Sequence, residues 1–231
     1  MRVTAQQRTR KRITKSKGNS SAAPWRRVIN AIARKRSAVA PDRAVLVGIS
    51  GIDASGKGYL AAKLAGQLQI EGLKVALISA DDWLNLPDVC INRDNYAGHF
   101  YEHAMRFGEM FERLIIPLKQ KREISLTADC AEAKATSYRK RCYKFRNIDV
   151  VLLEGIFLFK PEYRDRFDFK IWIECSFETA LQRAIERSQE GLLPMDTIKA
   201  FKTIYFPAQV VHLTRDNPRE AADYIFTNDK L

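Results

Sequence analysis

The sequence is poor in what would build a metal centre or a disulfide scaffold. Its 231 residues include four cysteines (Cys90, Cys130, Cys142, Cys175) and three histidines, all dispersed and without a C-x-x-C pair. Zinc-type spacing is absent, and reduced thiols in a cytoplasmic enzyme are the expectation. No apolar stretch has the length of a membrane helix, so no membrane partner is expected. No internal repeat is visible. An N-K-x-D base-recognition run is also missing, which disfavours a switch-type NTPase. Acidic residues are absent from positions 1–41, which carry 12 Lys and Arg. The other 27 basic residues equal the 27 Asp and Glu, so residues 42–231 sum to zero and the net +12 belongs to residues 1–41. The basicity that would suggest a nucleic-acid partner therefore lies outside residues 42–231.

Residues 1–23, with few large apolar side chains, read as a disordered basic tail. A solubilising extension is the plain interpretation. Sequence-independent polyanion contact and an organelle transit peptide are the sharper ones. Residues 24–41 read as a short helix and linker, with Trp25, Val28, Ile29 and Ile32 on one side.

What is present in strength is a strand, a glycine-rich turn and a helix start in succession. The apolar run Ala44–Ile49 leads into Gly51-Ile52-Asp53-Ala54-Ser55-Gly56-Lys57 and then Gly58-Tyr59-Leu60. This is the context of a phosphate-binding P-loop. Glycines let the backbone wrap an anion, N–H groups at the helix start donate to it, and Lys57 adds a point charge. The usual motif continues with Ser or Thr, whose hydroxyl reaches magnesium. Here Gly58 stands there, and Tyr59 is too long to replace that hydroxyl.

Further on, Leu60, Leu64 and Leu68 mark an amphipathic helix to about Glu71, ended by Gly72. Val75–Ser79 is a buried strand delivering Asp81 and Asp82. Residues 84–99 read as loop, and a helix is expected over about Tyr101–Lys119. Glu123–Thr127 and Thr136–Phe145 alternate as an antiparallel ribbon, a small lobe over about 120–147. Asp149–Leu153 ends in Glu154-Gly155, Phe169–Glu174 is another strand, and a helix runs from Phe177 to about Ser188. A helical or mobile stretch through Gln209 and a last strand, Ala222–Phe226, complete residues 42–231. Short apolar strands alternating with helices predict an α/β, three-layer domain with a mainly parallel sheet and the ribbon as appendage. Ligands of such sheets bind beyond the carboxyl ends of the strands. The P-loop, Asp81/Asp82, Glu154 and the end of the last strand converge there.

The segments GISGIDASGK, KVALISADDW, DVVLLEGIFLF, RDRFDFKIWIECSFETALQRAIER, YFPAQ and ADYIFTND, in this order over roughly residues 42–229, resemble the uridine kinase family. That family belongs to a wider group with phosphoribulokinase and pantothenate kinase. The resemblance implies a P-loop NTPase fold and transfer of the γ-phosphoryl group of ATP to a primary hydroxyl, with magnesium. ATP would lie on Gly51–Tyr59, with Lys57 bridging its β- and γ-phosphates. Asp81 would take the base position, although Asp81 and Asp82 both also suit a turn cap. Glu154, with Asp81, would hold magnesium. Arg183 and Arg187 match lid arginines on the transferring phosphates; as surface arginines they would instead pair with Glu178 or Glu186.

The family's base-holding aromatic has no counterpart at Ser125-Leu126-Thr127-Ala128-Asp129. Tyr96, Phe100, Tyr101, Glu102, His103 and Arg106 are the candidates to line the acceptor pocket, Tyr101, Arg106 and His103 foremost. A nucleoside (uridine or cytidine) is the implied acceptor. Pantothenate or a sugar phosphate is the alternative, favoured if Arg93, Arg106, Arg139 and Arg141 converge. A non-catalytic nucleotide-binding protein working through its basic tail is the reading from another class.

Overall fold

The computed structural model describes residues 22–132, 134–188 and 191–229. The expectations for residues 1–21, including polyanion contact and the transit peptide, lie outside the described residues. Among the described residues there are seven strands: β1 (Val45–Gly51), β2 (Val75–Ser79), β3 (Ile124–Cys130), β4 (Arg139–Phe145), β5 (Val150–Gly155), β6 (Phe169–Glu174) and β7 (Tyr224–Thr227). Five of them form an all-parallel sheet in the order β2-β5-β1-β6-β7. β3 and β4 pair antiparallel as a separate ribbon.

β1 and β5 lie at the heart of the sheet with every residue buried. That explains why they read as unbroken apolar runs rather than alternating ones. Their side chains still alternate between two cores. Val45, Val47, Ile49, Val150 and Leu152 face Leu60, Leu64 and Leu68 of helix α2 (Lys57–Ile70), together with Val28, Ile29 and Ile32 of helix α1 (Ala22–Ala38). Leu46, Val151 and Leu153 face the other layer, with Trp83, Phe111, Phe157 and Phe159. Each fully buried residue of this kind contributes about 1.5–3 kcal/mol. The helix expected over 24–41 is thus the first packed element, and its start lies at Ala22, inside the expected tail.

The stretch expected to be loop, 84–99, holds a turn of helix at Pro87–Cys90 and the start of the helix Tyr96–His103. The long helix expected from Tyr101 is interrupted at 104–106, because the backbone there pairs sideways. Asn85 N–H donates to the Ala104 carbonyl at 2.9 Å, and Arg106 N–H to the Trp83 carbonyl at 2.8 Å. Helix then resumes from Phe107 to Lys121, with one π turn at Phe111–Ile115. A second π turn, Phe201–Tyr205, joins Pro194–Ala200 to Phe206–Asp216. Both π turns stand just before a proline, Pro117 and Pro207. A proline has no N–H to give the preceding turn and its ring crowds the carbonyl four residues back, so the helix widens locally. No described helix is long and apolar enough to cross a membrane.

Candidate active site

β1 ends at Gly51, the chain turns through 52–56, and α2 starts at Lys57. The turn is closed by a Ser55 N–H to Ile52 carbonyl bond of 3.2 Å. Gly56 has φ +87°, a left-handed conformation that glycine adopts without strain. A Cβ there would also lie 2.5 Å from the Asn228 side-chain nitrogen. Lys57 is buried, with its ammonium 3.9 Å from Asp53. Burial pulls its pKa down, but Asp53, Asp81 and Glu154 together outweigh that and hold it above the ordinary lysine value. The loop therefore carries a fixed cation among three carboxylates.

Asp81 sits on the single turn Ala80–Asp82 after β2, with its N–H 3.4 Å from the Ser79 hydroxyl. Glu154 ends β5 and is 8 % exposed. Burial pushes its carboxyl above the ordinary value, opposed chiefly by Lys57. Two cavities meet here. One, of about 250 Å³, is lined by 53, 54, 56–59, Asp81, Glu154 and Arg187. The other, of about 320 Å³, opens toward the ribbon and is lined by Asp82, Asn85, Ile91, Phe100, Glu132, Arg139 and Tyr205 among others. Asp53 and Asp81 line both. Of residues 51–59, Gly51, Ile52 and Ser55 are buried and do not line the first cavity.

The two arginines divide. Arg187, at the C-terminal end of the helix Phe177–Glu186, faces the P-loop cavity and Lys57. Arg183 donates to the Ser55 carbonyl at 3.3 Å and to the Cys175 sulfur at 3.5 Å. It therefore grips the loop's backbone.

The expected acceptor residues need correcting. Tyr101 points away from the cleft. Its hydroxyl donates to Asp216 at 2.6 Å, and its ring packs on Phe157 and His212 in the core. Successive helical residues project about 100° apart, so it is Phe100 that reaches the cleft. Arg106 is only 12 % exposed at its side chain and is fully engaged. It bonds Glu109 and the carbonyls of Leu84 and Asp129, and lies over the Trp83 and Tyr138 rings. It fastens the ribbon to the domain and does not line the cleft. His103 is about half exposed, beside Glu102 and the His99 ring, outside both cavities.

Asn85, Ile91, Glu132 and Tyr205, which the sequence did not single out, line the cleft with Asp82 and Arg139, which it did. Asp82 pairs with Arg141 and lies 3.4 Å from the Tyr143 hydroxyl. Burial raises its pKa against the pull of Arg141. Arg139 lines the cleft while paired with Glu132 at 2.8 Å. The two-residue periodicity of the ribbon marks Arg139, Arg141 and Tyr143 as one face, a signal that was available.

Among the described residues no group of three or more His, Cys, Asp or Glu forms a metal cage. Magnesium does not require one: it is usually held by one or two carboxylates plus substrate phosphates. The hard oxygens of Glu154 and Asp81, at the mouth of a phosphate-type loop, fit that donor set. At position 58 a Cβ would lie 3.9 Å from both Glu154 carboxylate oxygens, so the missing hydroxyl's place is open and faces Glu154.

No family model matches the chain, and no curated protein matches its sequence. Solved structures do share its fold. A structure described as a possible uridine kinase from Bacillus stearothermophilus matches with a TM-score of 0.67 at 23 % identity, covering 87 % of this chain and 98 % of that one. A protein provisionally described as a fructose transport system kinase from Silicibacter sp. TM1040 gives 0.59 at 21 %, covering 87 % and 98 %. D-glycerate 3-kinase from Cryptococcus neoformans var. grubii gives 0.58 at 14 %, covering 83 % and 88 %. The fold is that of uridine-kinase-like P-loop kinases, with a five-stranded parallel sheet and a small antiparallel ribbon.

Proposed function

We propose that this chain is an ATP-dependent kinase that phosphorylates a hydroxyl of a small neutral metabolite, a nucleoside such as uridine or cytidine foremost. The observation that carries the reading is the position of Asp81 on the wall shared by the phosphate-loop cavity and the adjoining cleft. An acceptor in the cleft presents its hydroxyl to the Asp81 carboxylate, which takes the proton. The freed oxygen bonds to the γ-phosphorus as the bond from that phosphorus to the β–γ bridging oxygen breaks, and ADP leaves. Lys57 and Arg187 neutralise charge on the phosphates without proton chemistry. Glu154, with Asp81 beside it and the nucleotide's phosphates, would hold magnesium, which would supply further charge neutralisation.

The cleft's lining favours a neutral acceptor over an anionic one. Its charged residues are Asp53, Asp81, Asp82 and Glu132 against Arg139 alone. Arg139 and Arg141 are already paired, with Glu132 and Asp82. A glycerate, pantothenate or sugar phosphate would thus meet more carboxylate than free cation. Phe100, Tyr205, Leu84 and Ile91 supply the apolar wall that a flat base would use.

The test is ATP consumption by the wild type and Asp81→Asn against nucleosides, pantothenate, glycerate and sugar phosphates. The wild type should respond to a neutral acceptor. The isosteric Asn variant should lose ~10²–10⁴ in kcat. Full activity in Asp81→Asn, or no stimulation by any acceptor, refutes the assignment.

A further inference from the structure

We infer that Asn228, at the far end of the sheet's edge strand, is a positioning residue for the phosphate-binding loop, acting with Arg183 as a clamp on one backbone carbonyl. The inference rests on the phosphate-loop reading proposed above. The Asn228 side-chain amide donates to the Ser55 carbonyl at 2.7 Å, and Arg183 adds a second donor at 3.3 Å. Ser55 precedes Gly56, which lines the phosphate cavity, whereas neither clamp residue does.

A trans peptide points its C=O and the following N–H in opposite directions. Two donors holding the Ser55 oxygen outward therefore hold the Gly56 N–H inward, where an anion sits. The constraint is needed because Gly56 is left-handed at φ +87° and glycine crosses readily between backbone basins. A flip of the Ser55–Gly56 peptide would place a carbonyl oxygen in the cradle, opposite in polarity to what a phosphate requires.

Asn228 is itself held. Its N–H donates to the Glu174 carbonyl at 2.8 Å, extending the pairing of β6 with β7. The next residue, Asp229, accepts from the Ser176 N–H at 2.9 Å and its hydroxyl at 2.7 Å. Ser176 in turn caps the helix that carries Arg183 and Arg187. The end of β7 thus fixes the loop through one side chain and the arginine-bearing helix through its neighbour.

The test is calorimetric titration of the full chain with ATP, tripolyphosphate and adenosine, for the wild type and Asn228→Ala, with thermal midpoints of both. The alanine variant should bind ATP and tripolyphosphate about tenfold more weakly, the loss of one hydrogen bond that orients a donor. Adenosine, which has no phosphate, should bind both proteins alike. A purely structural role would weaken all three together, and that outcome overturns the clamp, as does unchanged tripolyphosphate binding. Should the alanine variant fold poorly, Asn228→Thr, whose hydroxyl is too short to reach Ser55, is read by the same criterion. A wild type that binds neither ATP nor tripolyphosphate refutes the phosphate-loop reading itself, and the clamp with it.

Discussion

A serine at position 58 would place a hydroxyl between the first turn of α2 and the buried Glu154 carboxylate. The space is there: the nearest atoms to a Cβ at Gly58 are the Glu154 carboxylate oxygens at 3.9 Å, ordinary van der Waals contact. One further bond brings the hydroxyl to a hydrogen-bonding distance of ~2.7–3 Å. Two terms add. Replacing a helical glycine by serine relieves about 0.5 kcal/mol of backbone entropy cost. The new bond donates to a charged acceptor, nominally about 1.5–3 kcal/mol, but Gly58 is solvent-exposed and about 1 kcal/mol is the fair figure. Together they raise the thermal midpoint by about 3–6 °C in a domain of this size.

Gly58→Ala separates the terms, since it gives the helix gain of about 1 kcal/mol and no hydroxyl. The serine variant should melt above alanine, and it alone should lower the magnesium concentration for half-maximal ATP consumption. The assay is differential scanning fluorimetry of the three proteins beside magnesium titrations of turnover. A serine variant that melts no higher than alanine, with an unmoved magnesium midpoint, would show that the hydroxyl does not meet Glu154. The placement of the metal at that carboxylate would then fail.

Two further outcomes follow from the buried network behind the cleft. Tyr101→Phe removes a 2.6 Å bond to Asp216 and should cost about 1.5–3 kcal/mol in urea unfolding. It should leave kcat within about twofold, because Tyr101 lies outside the cleft; a large loss of activity without loss of stability would return it to the acceptor site. The second outcome concerns pH. Burial holds the His212 imidazole below its ordinary value of 6.5, against the opposing pull of Asp216. The unfolded chain therefore takes up the proton first, so this stability is present above about pH 6.5 and lost as pH falls below it. Asp216, held below 3.8 by its bonds from His212 and Tyr101 despite burial, adds a second loss in stronger acid. Melts from about pH 8 to about pH 5 should show the first decline, and His212→Gln should flatten it; a wild-type midpoint constant over that range would sink the idea.

The sheet was legible because its central strands are buried on both faces, so composition alone marks them. The P-loop, Asp81 and Glu154 were legible for a related reason: each is local in sequence and follows directly from the end of a strand. What could not be read is what depends on contacts across long separations. The break at 104–106 exists because that backbone pairs with 83–85. Which of Phe100 and Tyr101 enters the cleft is a matter of helical phase, set by where Asp216 waits 115 residues away. Asn228 was within reach only as part of a strand end, since its partner Ser55 lies 173 positions earlier.

Charge shows the same division most clearly. Four arginines near the acceptor lobe would favour a phosphorylated acceptor if they converged free on the cleft. Arg106 is bound to Glu109, Arg139 to Glu132 and Arg141 to Asp82. Arg93 does not line the cleft. A guanidinium beside a carboxylate has its field partly cancelled at the distance of a bound ligand. An anionic acceptor reaching Arg139 would sit beside its partner carboxylate, Glu132, and near Asp81 and Asp82. A neutral acceptor avoids that repulsion and can donate to Asp81 across an apolar wall. The proposed preference for a neutral hydroxyl compound therefore rests on which carboxylates the arginines already have beside them, a property of the folded ribbon that residue counting does not contain.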